Sequence, residues 1–190
     1  MSIFAVWNSN TNGRLSNIQS LRVLIINKRC SGVIKDMPDE LQKYPTEDII
    51  RILSNLPDFL RESMMRSRLQ ELCAKDSKAQ DEFIDLILDG LSSADKETLT
   101  KVIRTWLVVV SKLESSEIST IFSSFMSRYK NDPSMYESNY SAVLLGEYQS
   151  LKDDQRIILR DNLVEVALNQ HQGRQILLTL PEKVRSVLGL

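Results

Sequence analysis

The chain has 190 residues, 42% of them apolar and 26% charged, with a formal net charge of −1. That profile excludes a disordered chain, and a single core at this length buries roughly 70% of the unfolded surface without help from metal or disulfide. With only 6 Gly and 5 Pro the chain is short of the turn formers an all-β fold requires, and no apolar run approaches the roughly 20 residues of a membrane-spanning helix.

The charge is unevenly placed. Residues 1–35 hold Arg14, Arg22, Lys28, Arg29 and Lys35 and no acid, which is +5, and the remaining residues carry −6. The start, "MSIFAVW", has no basic n-region and makes a poor secretory signal. Its Ile3, Phe4, Val6 and Trp7 precede a polar Asn/Ser/Thr/Gly spacer. Such an apolar arm is raw material for self-association. "RLSNIQSLRVLIINKR" then places Leu15, Ile18, Leu21, Ile25 and Ile26 near helical spacing, although "VLII" at 23–26 also suits a short strand. "CSGVIKDMPDELQKYP", with Gly32, Pro38 and Pro45, reads as a linker. The expected division is an arm with one helix and linker over 1–44, and a helical domain over 45–190.

From 46 onward the pattern is helix after helix. "TEDIIRILSNL" opens with Thr46 as a cap and acids in the first turn. Helices are predicted over 56–74, 78–91, 92–113 and 115–130. In the helix over 92–113, Leu99, Val102, Ile103, Trp106, Leu107, Val110 and Leu113 keep a 3.6-residue period, and Val108 and Val109 make it apolar nearly all round. That places it at the centre of the core. "NDP" at 131–133 breaks the run. "SMYESNYSAVLLGEYQ", "DDQRIILRDNLVEVALNQ", "GRQILLTL" and "PEKVRSVLGL" complete it. The expected fold is all-α, with about eight or nine antiparallel helices in a bundle or an irregular stack of αα-hairpins, HEAT-like at most.

Three stretches share a grammar: "NLPDFLRESM" (55–64), "SLKDDQRIIL" (150–159) and "TLPEKVRSVL" (179–188). Each starts with a small polar residue, then Leu, and has an acid three positions after the start. That matches a capping box with Asn55, Ser150 and Thr179 as caps, at helix–tight turn–helix junctions. The corresponding Leu positions, 56, 91, 113, 151 and 180, are too unevenly spaced for a solenoid of fixed period.

Catalytic patterns are scarce. His171 is the single histidine, in the polar stretch "NQHQG", and it reads as a cap near a helix end. Cys30 and Cys73 form no CxxC and read as free thiols. No phosphate-cradling glycine motif occurs. Asp81, Asp85 and Asp89 form an acidic row opposite Phe83, Ile84, Ile87, Leu88 and Leu91, which suits a solvated face. No cofactor, metal or small-molecule substrate is expected.

Two features point to binding. Met135, Tyr136, Tyr140 and Tyr148, with Tyr129 nearby, gather the residue types that anchor protein interfaces, and Tyr136, Tyr140, Leu144 and Tyr148 fall on one helical face. The competing reading is a core stripe with hydroxyls reaching the surface. The basic arm suits a polyanion such as RNA, DNA or an anionic membrane surface, extended by Arg51, Arg61, Arg66 and Arg68 if these share its side. The reading is a cytoplasmic, non-catalytic helical module that binds a protein partner or its own copies, with polyanion binding through the arm as the alternative.

Overall fold

A computed structural model of the chain describes residues 46–132, 138–171 and 173–190. The arm of residues 1–44, with its basic residues and its Ile3, Phe4 and Trp7, lies outside these, as do Met135 and Tyr136.

Nine α-helices and no strands occur among the described residues: α1 (Thr46–Asn55), α2 (Asp58–Cys73), α3 (Ser77–Ser92), α4 (Lys96–Val110), α5 (Ser115–Asn131), α6 (Asn139–Gln149), α7 (Asp153–Asn169), α8 (Gly173–Thr179) and α9 (Glu182–Leu188). The all-α expectation holds, and most boundaries fall within a few residues of those predicted. The exceptions are the starts of α4 and α6.

Each of α1 to α7 packs most extensively against a helix two places away in the chain, not against its immediate neighbour. α1, α3, α5 and α7 form one layer, and α2, α4 and α6 the other, with α8 set against α7 and α9 against α6. α4 touches α1, α2 and α6, and Leu99, Val102, Ile103, Leu107, Val109 and Val110 are all buried. Trp106 of α4 meets Phe125 of α5 edge to face, centroids 5.5 Å apart. The central place expected for this helix is therefore observed.

Polar side chains tie packed helices together, mostly within one layer. Arg61 Nε donates to Thr105 Oγ1 at 2.8 Å, Ser124 Oγ to Gln80 Oε1 at 3.4 Å, and Gln155 Nε2 to Ser111 Oγ at 3.2 Å, each pair 44 residues apart.

The junction motif needs a correction. Asn55, Ser150 and Thr179 do not cap the helices that follow. Asn55 and Thr179 end α1 and α8, and Ser150 caps the C-terminus of α6, its hydroxyl donating to Glu147 O at 2.7 Å. The N-caps are Pro57, Lys152 and Pro181, two residues later, all with ψ between 142° and 153°. None has an acceptor side chain, and Pro is preset for such extended backbone. The Leu is the turn residue, with Leu151 and Leu180 buried. Lys152 N donates to Gln155 Oε1 at 3.4 Å, the returning half of a box. True Asp caps stand elsewhere: Asp76 accepts from Ala79 N and Asp95 from Thr98 N, both at 2.9 Å.

The motif also carries an arginine five residues after each Leu: Arg61, Arg156 and Arg185. Arg61 is 4% exposed. It pairs with Asp58 and donates to Leu56 O at 2.9 Å and Ser54 O at 3.2 Å, satisfying carbonyls left open at the end of α1. Arg156 does the same more loosely, with Asp153 at 2.5 Å and Gln149 O at 3.3 Å. Arg185 keeps a buried Nε with no partner.

Candidate functional site

Two of the tyrosines singled out in the sequence, Tyr140 and Tyr148, are buried, while Tyr136 lies outside the described residues. Tyr140 is 8% exposed and Tyr148 is 9% exposed, both in the core, and Leu144 packs against it. Tyr148 lends its hydroxyl to Arg156 O at 3.1 Å, and burial raises its pKa against the opposing pull of Arg160 and Arg156. This is the core stripe with a polar handle, the competing reading.

The arginines that were to extend the basic arm are largely engaged. Arg61 is buried with its donors used internally, and Arg51 and Arg68 each pair with an acid on their own helix, Asp48 and Glu71. The acidic row is exposed as expected, and Asp85 binds Arg128 of α5 at 2.6 Å. His171 is exposed, its carbonyl accepting from Lys130 Nζ at 3.4 Å. Cys73 is free and half-buried. Burial first, then the nearby Glu117 charge, raise its pKa. Among the described residues, no three His, Cys, Asp or Glu side chains gather as a metal site, and no helix is long and apolar enough to cross a membrane.

What stands out instead is α7. It turns Leu159, Asn162, Val166 and Ala167 inward and packs against α5 and α8. Its opposite side carries exposed apolar residues among charged ones. Ile157 is 49%, Ile158 38% and Leu168 54% exposed. Ile157, Asp161, Val164 and Leu168 follow i, i+4, i+7, i+11, so they form one stripe. Asp161 breaks the apolar run and is held by Arg160 of the same chain at 2.8 Å. On the adjoining α8, Leu178 is 64% exposed.

The position of α7 explains why this side is bare. α3 and α5 each have a neighbour on both sides within their layer, while α7 ends the layer and is followed only by the seven-residue α8. Among the described residues, the first helix of that layer differs: α1 turns Arg51 and Asn55 outward and buries Ile50. A stacked helical array needs a polar outer face on its end units to stay soluble, and α7 lacks one.

A second exposed apolar residue, Phe59 on α2, borders a shallow open depression with Asp58, Glu62, Ser63 and Arg66. A lone exposed aromatic is ordinary surface. The α7 stripe was missed because a helix apolar on all sides does not reveal which side meets its neighbours. The available signal was the excess itself: Ile157, Ile158, Leu159, Leu163, Val164, Val166, Ala167 and Leu168 are too many for one buried face.

Compared with protein-family models, curated proteins and solved structures, the chain finds no match.

Proposed function

We propose that the chain is a non-catalytic helical interaction module whose docking surface is the outward face of α7. The observation carrying this reading is the half-exposed set Ile157, Ile158 and Leu168 on the terminal helix of one layer. Contiguous apolar surface rimmed by charge marks interaction sites on soluble proteins. Here the rim consists of Asp154, Arg160 and Glu165, all on the same helix, with Asp161 inside the stripe. The binding energy of such surfaces concentrates in a few buried anchors, and truncating one costs more than 1 kcal/mol.

The test is capture of the protein's partners from its native source by wild type and by the Ile157→Glu/Leu168→Glu variant. Both positions are surface-exposed, so helical content and melting temperature are expected to stay unchanged while capture is lost. Undiminished capture by a folded variant overturns the proposal.

A further inference from the structure

Resting on the reading of α7 as the docking face, we infer that its occupant is a basic amphipathic helix of a protein partner, with lysine or arginine beside its apolar row. Ile157, Val164 and Leu168 repeat at i, i+7 and i+11, and Asp154, Asp161 and Glu165 repeat at the same intervals three residues earlier. Residues three apart adjoin on a helix surface, so an acid stands next to each apolar residue, always on the same side. The apolar row and the acidic row therefore run together along the outward side of α7, each for about three turns.

Most of that acid is unanswered. The two arginines of α7 are engaged, Arg160 with Asp161 at 2.8 Å and Arg156 with Asp153 at 2.5 Å, while Asp154 and Glu165 have no ion pair among the described residues. Asp154, Asp161 and Glu165 against Arg160 leave the face at −2. That balance selects the occupant. A wholly apolar partner would bury Asp154 and Glu165 without a counter-charge, which is costly. An acidic protein, a nucleic acid or an anionic membrane is repelled by the same carboxylates. A helix with bases beside its apolar row covers the aliphatic side chains and answers both unpaired carboxylates at once.

The aliphatic patch is small, on the order of a few hundred Å². The contact falls below a standard interface, so it is weak, and its open charged edge makes it sensitive to salt. α3 supplies an internal control. Asp81, Asp85 and Asp89 form an exposed acidic row there, with Leu86 as the one large apolar residue exposed on that helix. Acid is present on α3 without an apolar row to accompany it.

Fluorescence anisotropy of two synthetic helical peptides titrated with the full chain tests this. Both peptides carry leucine at i, i+4, i+7 and i+11, one with lysine and the other with glutamate at the flanking positions. The lysine peptide is expected to bind with a micromolar dissociation constant, weakened about tenfold between about 50 mM and about 500 mM salt. The glutamate peptide is expected not to bind. Asp161→Lys/Glu165→Lys should weaken the lysine peptide about tenfold and admit the glutamate peptide. Asp154 is kept, because the first turn of a helix favours an acid. Asp81→Lys/Asp89→Lys reverses as much charge on α3 and should leave lysine-peptide binding unchanged. Helical content serves as the folding control for each variant. The inference is overturned by a lysine peptide that does not bind, by equal binding of the two peptides, or by an equal loss from the α3 exchange. In any of these cases, loss of partner capture by Ile157→Glu/Leu168→Glu keeps the docking face and removes only the basic partner, while undiminished capture removes both.

Discussion

Arg61 reaches 44 residues along the chain to donate Nε–H to Thr105 Oγ1 at 2.8 Å, while its Nη1 holds two carbonyls at the end of α1. One buried side chain therefore binds α1, α2 and α4 together. Its ion pair with Asp58 contributes less, because that carboxylate is 86% exposed and exposed pairs are screened. Replacing Arg61 by Ala leaves Ser54 O, Leu56 O and Thr105 without this partner in a buried setting. The expected loss is about 3 kcal/mol of unfolding free energy by denaturant titration. Arg61→Lys is expected to recover only part of it, since an ammonium cannot match the planar fork. Asp58→Asn should cost far less than either.

Gly173 opens α8 against the end of α7. A Cβ there would lie 1.8 Å from Ala167 O, which is backbone and cannot move aside. Gly173→Ala must shift α8 away from α7, with an expected cost of about 1–3 kcal/mol. Thermal unfolding measures the loss, and hydrogen exchange should localise the loosening to α8 and the end of α7.

Tyr140 and Tyr148 separate core from interface. Tyr140→Ala is expected to cost about 3–5 kcal/mol, as for other large buried aromatics, with no selective change in association at temperatures where the variant remains folded. Tyr148→Phe removes only the hydroxyl bond to Arg156 O and should cost about 1 kcal/mol. Denaturant melts combined with a binding assay check both.

Asp95 gives a pH dependence. The Thr98 backbone N–H, followed by the Thr98 hydroxyl, holds its carboxyl below the ordinary value of 3.8. A lowered folded pKa means that its capping contribution is complete above that ordinary value and is lost as pH falls through the lowered one. Asn caps helices equally well without titrating. The fall in melting temperature between about pH 5 and about pH 3 should therefore be smaller for Asp95→Asn than for wild type.

The helices were legible where local patterns decide them. The 3.6-residue period of Leu99 to Leu113 announced α4 and its central place, and Asp81, Asp85 and Asp89 announced the solvated side of α3. The junctions were legible only in part. Asn55, Ser150 and Thr179 looked like caps because a small polar residue with an acid three positions later fits that role. Yet each belongs to the helix before the turn, and the extended residue at Pro57, Lys152 or Pro181 takes the cap position. The repeated arginine, Arg61, Arg156 and Arg185, stood in plain sight, but the work of Arg61 and Arg156 is to hold carbonyls at the end of the preceding helix, a contact set by the turn geometry. Tyr140 and Tyr148 were ambiguous for a different reason. Amphipathic side chains suit a core and an interface equally, and only the packing of α6 on α4, fixed by residues far apart in sequence, chooses between them. The outward side of α7 followed the same logic: its exposure results from where the layer stops.

Photo-crosslinking from α7 in the native source tests the docking face most directly. A photoreactive residue placed at Leu168 should give a covalent adduct with a bound protein, whether another protein or a second copy of the chain, and one at the exposed Ala142 of α6 should give none. Adducts from position 142 with none from position 168, in variants of unchanged helical content, would contradict the account.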